Sequence, residues 1–167
     1  MTLTTNRLEL QLLSGDQLGL WTGDRPALEG ALDCACGAEP MAGTFRTIVE
    51  GQAEKVRADP QNTVWTSFWL LIRRRDRMVV GAADFKNAPG DQGGAVEVGY
   101  GLEREYEGHG YMTEAVRAMC AWALAQPGVA AVTAETERDN VRSQQVLTRC
   151  GFRPDGGAET LWWRLEA

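Results

Sequence analysis

The sequence predicts a mixed α/β fold, with a central twisted mixed sheet of about six to seven strands flanked by helices. Three observations carry this. Short segments alternate apolar and polar residues with the period of a strand. Gly110–Ala125 places Tyr111, Met112, Ala115, Val116, Met119, Cys120, Ala123 and Leu124 on one helical stripe. From Ala95 onward strands and helices alternate behind an antiparallel hairpin, which calls for a mixed sheet. The chain has 167 residues, 44% hydrophobic and 24% charged. That suits a single domain over residues 1–167 with a core large enough to need no staple.

Taken in order, Arg7–Leu13 sets Leu8, Leu10 and Leu12 on one side and reads as a strand. Ser14–Asp33 reads as one or two short helices, with Ser14 or Asp16 as cap and Pro26 in a first turn. Cys34–Gly43 is a loop, and Thr44–Ala58 has helical spacing. Thr66–Ile72 and Met78–Phe85 form a hairpin around the charged turn Arg73–Arg77. That arginine cluster is either a solvated tip or an anion site. Asn87–Gly94 is a loop, and Ala95–Leu102 is a third strand. Its alternation sends Val96, Val98 and Tyr100 to one face and Glu97, Gly99 and Gly101 to the other. After the long helix come a strand over Val129–Thr136, a helix over Asn140–Cys150 stopped by Gly151, and a final strand over Thr160–Leu165.

Charge and composition exclude whole classes of function. Seventeen basic and 23 acidic residues leave a net charge of −6, which repels a phosphate backbone and argues against nucleic acid as a partner. A single histidine, His109, excludes a multi-histidine metal site, and no metal is expected. The four cysteines, Cys34, Cys36, Cys120 and Cys150, lack the spacing of a zinc or redox motif and read as free thiols in a reducing compartment. No signal pattern opens the chain and no apolar run approaches the ~18 residues of a membrane helix, so a cytoplasmic protein without a membrane partner is expected.

One segment carries chemistry. A strand ends, a short loop brings Gly108 and Gly110, and an amphipathic helix starts at once. Helix N-termini expose unpaired N–H groups with a partial positive charge, and glycines let backbone wrap closely around an anion. This G-x-G is either a phosphate or pyrophosphate site or a tight turn. It lacks the three-glycine dinucleotide fingerprint and the Lys-Ser/Thr of a P-loop.

Further motifs sharpen it. E-V-G-Y-G-L, G-H-G-Y-M-T-E-A, D-N-V-R-S and V-L-T-R-C-G-F follow one another in that order, behind T-T-N-R-L-E-L. Together they resemble the GNAT superfamily of acetyl-CoA-dependent N-acetyltransferases, most closely the branch of the ribosomal-protein N-terminal acetyltransferases. The resemblance implies a GNAT-like fold and acetyl-CoA as co-substrate. It implies that the backbone from Tyr106 through Glu107, Gly108, His109, Gly110 and Tyr111 to Met112 holds the pyrophosphate. A bulged strand would splay to admit pantetheine, with Val98, Gly99 and Tyr100 bonding it and polarising the acetyl carbonyl. Asn140 matches the position that bonds the cofactor arm.

For deprotonating the acceptor there are two matching carboxylates, Glu97 and Glu135, either of which could act through a water. The proton donor common in relatives, a tyrosine seven residues after the Asn, is Leu147 here; the resemblance to the ribosomal-protein branch implies instead that Ser143, three after the Asn, lies near the CoA sulfur as a cofactor contact, either donating the proton or hydrogen-bonding the thiolate. Glu103, Glu105 and Glu107 crowd the loop, where carboxylates should repel a pyrophosphate, with Arg104, Arg138 or Arg142 to compensate. His109 is either solvent-facing or a phosphate contact. Trp21, Trp65 and Trp69 either line an acceptor cleft or fill the core.

Two functions follow. The first is acetyl transfer to a primary amine by direct attack, the acidic chain suiting a cationic small molecule or a protein N-terminus. The alternative is a non-catalytic acyl-CoA-binding or interaction domain on the same fold. The apolar last strand, Leu161–Leu165, either finishes the sheet or pairs with a second copy in a homodimer.

Overall fold

Local signals decide where the first two helices start. In the computed structural model, which describes residues 1–37, 39–90 and 92–167, Ser14 and Gln17 form a capping box that opens α1 (Gly15–Gly23). Asp24 then caps α2 (Arg25–Leu32), with Pro26 in its first turn. Two helices therefore fill Ser14–Asp33. α3 (Gly43–Ala58) and the one-turn α4 (Thr63–Thr66) follow. α5 (Tyr111–Leu124) and α6 (Val141–Arg149) complete the six helices. Ala38 and Asp91, both in segments expected as loops, lie outside the described residues.

The strands are β1 (Thr2–Thr4), β2 (Leu8–Leu12), β3 (Phe68–Arg73), β4 (Met78–Phe85), β5 (Ala95–Leu102), β6 (Ala131–Thr136), β7 (Arg153–Pro154) and β8 (Leu161–Glu166). They form one mixed sheet in the order β1-β2-β3-β4-β5-β6-β8-β7. Among the strands of the described residues, β5 and β6 are the one parallel pair. Eight strands exceed the expected six to seven because β1 and β7 span three and two residues, too few for a period to show. β8 pairs with β6 from Leu161 to Glu166 and with β7 at Trp163 and Arg164, so this strand lies inside the sheet and the two-residue β7 forms its edge.

Two cores sandwich the sheet. On one face Leu8, Leu10, Trp69, Phe85, Val96 and Val98 pack against α5 and Leu147 of α6. On the other, Phe68, Leu70, Ile72 and Val79 pack against Leu18 and Trp21 of α1 and Val49 of α3. The arginine turn braces the molecule. Arg73 pairs with Asp76 at 2.7 Å, Arg74 donates to the carbonyls of Thr5 and Asn6, and Arg77 pairs with Glu9 at 3.0 Å. These guanidiniums bond within the chain, which favours the hairpin tip over an anion site.

β5 is where the sheet changes partners. Ala95–Glu97 pair with Ala131–Thr133 of β6, whereas Val98–Leu102 pair with β4. Beyond Glu97 the two strands separate. The expected bulge is not within Val98–Leu102, whose register with β4 is unbroken. The irregular register lies between Leu71 and Ile72, in the β3–β4 ladder. Asn87 substitutes for strand backbone at the switch, its Oδ1 accepting the Glu97 N–H at 2.9 Å. Among the described residues no helix is long and apolar enough to cross a membrane, and no cluster of acids, cysteines and histidine could hold a metal.

Candidate active site

The separation of β5 from β6 opens a cavity of about 650 Å³ between β5, the glycine loop and α6. Gly108 and Gly110 both sit at φ +78°, a conformation that side-chain-bearing residues adopt only under strain. Gly110 is the N-cap of α5 and supplies no side-chain acceptor, so the first N–H groups of a fourteen-residue helix remain free for an anion.

Of the residues expected to hold a cofactor, Tyr100, Glu107, Gly108, Gly110, Met112, Asn140 and Ser143 all line this cavity. Asn140 also caps α6, its Oδ1 accepting the Ser143 N–H at 3.1 Å. Five others do not line it. Val98 is buried beneath it, and Gly99 turns to the opposite face. The rings of Tyr106 and Tyr111 lie under the Arg73 guanidinium, and His109 stacks on Tyr111 at 5.7 Å. These three rings fix the outside of the loop.

Sequence reasoning left out what holds that loop. The Glu114 carboxylate accepts from the Thr5 hydroxyl and from the Arg7 backbone N–H and Nε, the last two at 2.7 Å. Arg7 also donates to the His109 carbonyl at 2.8 Å and covers the Tyr111 ring. Burial pushes the Glu114 carboxyl up, but the bonds from Thr5 and Arg7 outweigh it and hold it below the ordinary value. Both Arg7 and Glu114 stand inside the quoted motifs, so their pairing was the available signal.

The crowd of glutamates separates by direction. Glu107 lines the cavity beside the glycine loop but forms an ion pair with Arg142. Arg104 and Arg149 line the same cavity, so its charged side chains sum to positive. Glu103 and Glu105 line a second cavity across the sheet. The repulsion expected of three carboxylates therefore falls on one, already paired.

That second cavity, of about 560 Å³, lies between β4, the end of β5 and the helices α1 and α3. Tyr100, Gly101 and Leu102 border both cavities, which thus meet across β5. Trp21 lines it, whereas Trp65 and Trp69 pack with Phe85 and Trp122 in the core. Asp84, a carboxylate the sequence reading passed over, also lines it and is 5% exposed. Its signal was a lone acid in the apolar strand Met78–Phe85. Asp84 pairs in register with Gly99, where a Cβ would fall 2.7 Å from Asp84 Oδ1 and 2.7 Å from Lys86 Cε.

Glu97 is on this face, outside the cavity lining. Burial is the main cause that raises its carboxyl; Lys86 opposes this, while the charges of Glu135 and Asp84 add to it. Glu135 is exposed and accepts the Thr160 hydroxyl. Ser143 Oγ stands 2.8 Å from Tyr100 Oη. The Tyr100 phenol, pushed up to about 12 chiefly by burial, keeps its proton at neutral pH. Leu147 is fully buried, so a side chain at that position faces the core and not the cofactor cavity.

A family profile described as an acetyltransferase (GNAT) domain matches residues 38–153. The chain belongs to the GNAT acetyltransferase family. This GNAT chain is 32% identical over 151 residues to an uncharacterized N-acetyltransferase, YjdG, of Bacillus subtilis, covering 90% of the chain and 88% of the relative. The fold is shared with ribosomal-protein-S5-alanine acetyltransferase from Vibrio fischeri at a TM-score of 0.71 and 17% identity, over 99% of this chain and 96% of that one. It is shared also with the microcin C7 self-immunity acetyltransferase MccE, solved with acetyl-CoA and AMP. There the TM-score is 0.66 and the identity 14%, over 98% and 94% of the two chains.

Proposed function

We propose that this chain is an N-acetyltransferase that moves an acetyl group from acetyl-CoA to a primary amine by direct attack. The observation that carries the proposal is the meeting of two cavities across Tyr100–Leu102. One has a bare helix N-terminus and an arginine excess, which fit the phosphates of acetyl-CoA. The other is lined by Glu39, Glu103 and Glu105, which form no ion pair among the described residues and fit an ammonium.

Acetyl-CoA supplies a thioester carbonyl. The amine nitrogen forms a C–N bond to it as the C–S bond breaks and the CoA thiolate leaves. The amine gives up two protons, one before attack and one with it, while the thiolate takes one up. Glu97 is the proposed base, with Glu135 beside it, acting through water on the acceptor face. A carboxyl raised by burial is a better base for this task than an exposed one. Ser143, backed by the Tyr100 hydroxyl, is the proposed donor to the thiolate. Ser143 meets a phenol and not a base, which supports direct attack over an acyl-enzyme.

CoA release with acetyl-CoA and a panel of primary amines tests this on wild type, Glu97→Gln, Glu135→Gln and Ser143→Ala. Slower turnover in Ser143→Ala and in one glutamate variant is expected. Unchanged turnover in all three would remove these roles. Tight acetyl-CoA binding without turnover of any amine would leave a non-catalytic acyl-CoA-binding domain.

A further inference from the structure

We infer that the second cavity takes a small arylalkylamine, a primary amine two or three bonds from a flat uncharged ring, in preference to a polyamine or a peptide N-terminus. This rests on the transfer reading above and narrows its acceptor.

The far wall of the cavity is aromatic. Trp21, Phe45 and Phe68 contact one another edge to face, with centroids 5.6–5.8 Å apart. Phe45 and Ile48 of α3 are 42% and 48% exposed, large apolar side chains that the fold leaves turned to the opening. A wall of this kind gains by burying a ring.

Acidic side chains line the cavity beside that wall. Phe68, Asp84 and Gly99 stand in one row across β3, β4 and β5, and two interstrand spacings make that row about 10 Å long. Gly99 and Gly101 put no side chain into it. The Asp84 carboxylate lies over Gly99, and its ion pair with Lys86 is long, at 3.5 Å. Glu39, Glu103 and Glu105 also line the cavity and form no ion pair among the described residues. Arg25, the other cation there, donates to the carbonyls of Gly37 and Glu39. The cavity therefore joins an aromatic wall to several carboxylates, with room in its 560 Å³ for one small molecule.

Two measurements on the full chain test this: CoA release with acetyl-CoA, and calorimetric binding of each amine to the CoA complex. The amines are 2-phenylethylamine, butylamine, spermidine, an alanine-initial tripeptide and a phenylalanine-initial tripeptide. Phenylethylamine is expected to exceed butylamine by about tenfold or more in kcat/KM and in affinity, the effect of burying one phenyl ring. In Phe45→Ala, whose parent side chain is too exposed to hold the core, that ratio should collapse toward one while acetyl-CoA affinity stays within about twofold. Spermidine or either tripeptide outperforming phenylethylamine overturns the inference, as does a ratio that survives Phe45→Ala. Aromatic preference in binding with no turnover sustains the inference and removes the transfer reading. Turnover of other amines without aromatic preference does the reverse.

Discussion

Replacing Glu114 by Gln should lower the melting temperature at pH 7 by about 4–8 °C and weaken CoA binding, because one carboxylate ties the N-terminal segment to the glycine loop. Glu114 is 18% exposed and accepts three hydrogen bonds. Bonds to a charged acceptor contribute about 1.5–3 kcal/mol each when sheltered. Two of the three come from Arg7, whose side chain is 42% exposed, and glutamine retains a carbonyl acceptor. Solvent screening and that retained acceptor reduce the net loss to about 2 kcal/mol. A domain of this size shifts by about 2–4 °C per kcal/mol, which gives the stated range. The pH dependence has a definite sign. The carboxyl is held below its ordinary value of 4.5, so its contribution is fully present above that pH and is lost as pH falls below it. Thermal denaturation of both proteins at pH 7 and pH 4 should show the gap narrowing in acid. A gap below about 1 °C at pH 7, or one independent of pH, would refute the role assigned to Glu114.

Three further outcomes are expected. Gly99→Ala drives a Cβ against Asp84 and Lys86; acetyl transfer should fall by about a hundredfold from misplacement near the reacting groups, with CoA affinity measured by calorimetry nearly unchanged. Arg142→Ala leaves Glu107 unpaired in the cofactor cavity, so CoA affinity should drop several-fold at low salt and the loss should shrink as salt rises, about a Debye length being enough to screen it; Glu107→Gln in that background should restore affinity. Because burial chiefly raises the Glu97 carboxyl, kcat/KM should decline with falling pH through a value above that of an ordinary glutamate, and Glu97→Gln should abolish that limb of the pH profile.

Much of this was legible in the residues, and the exceptions have physical causes. The α5 stripe, the Gly151 stop and the β5 alternation are local patterns, and each stands in the structure. β1 and β7 are too short to carry a period, although each pairs with the strand that follows it in the chain. The same holds for the site. Gly108 and Gly110 announce themselves because their backbone conformation demands glycine. Asp84 does not, because its meaning comes from lying over Gly99 across the ladder. The Tyr100–Ser143 contact joins residues 43 positions apart, and no periodicity records such a meeting.

β5 also explains how one acidic chain could serve a polyanion and a cation at once. Its alternation points Val98 and Tyr100 to the α5 side and Glu97, Gly99 and Gly101 to the other. The segment beyond continues the division, with Arg104 lining the cavity beside the glycine loop and Glu103 and Glu105 lining the second cavity. A net charge of −6 therefore says little about either substrate, because a strand a few ångströms thick holds opposite signs on opposite faces. A one-residue slip of the β4–β5 register would exchange those faces. The unbroken ladder from Val98 to Leu102 is thus as much a part of the site as the carboxylates it presents.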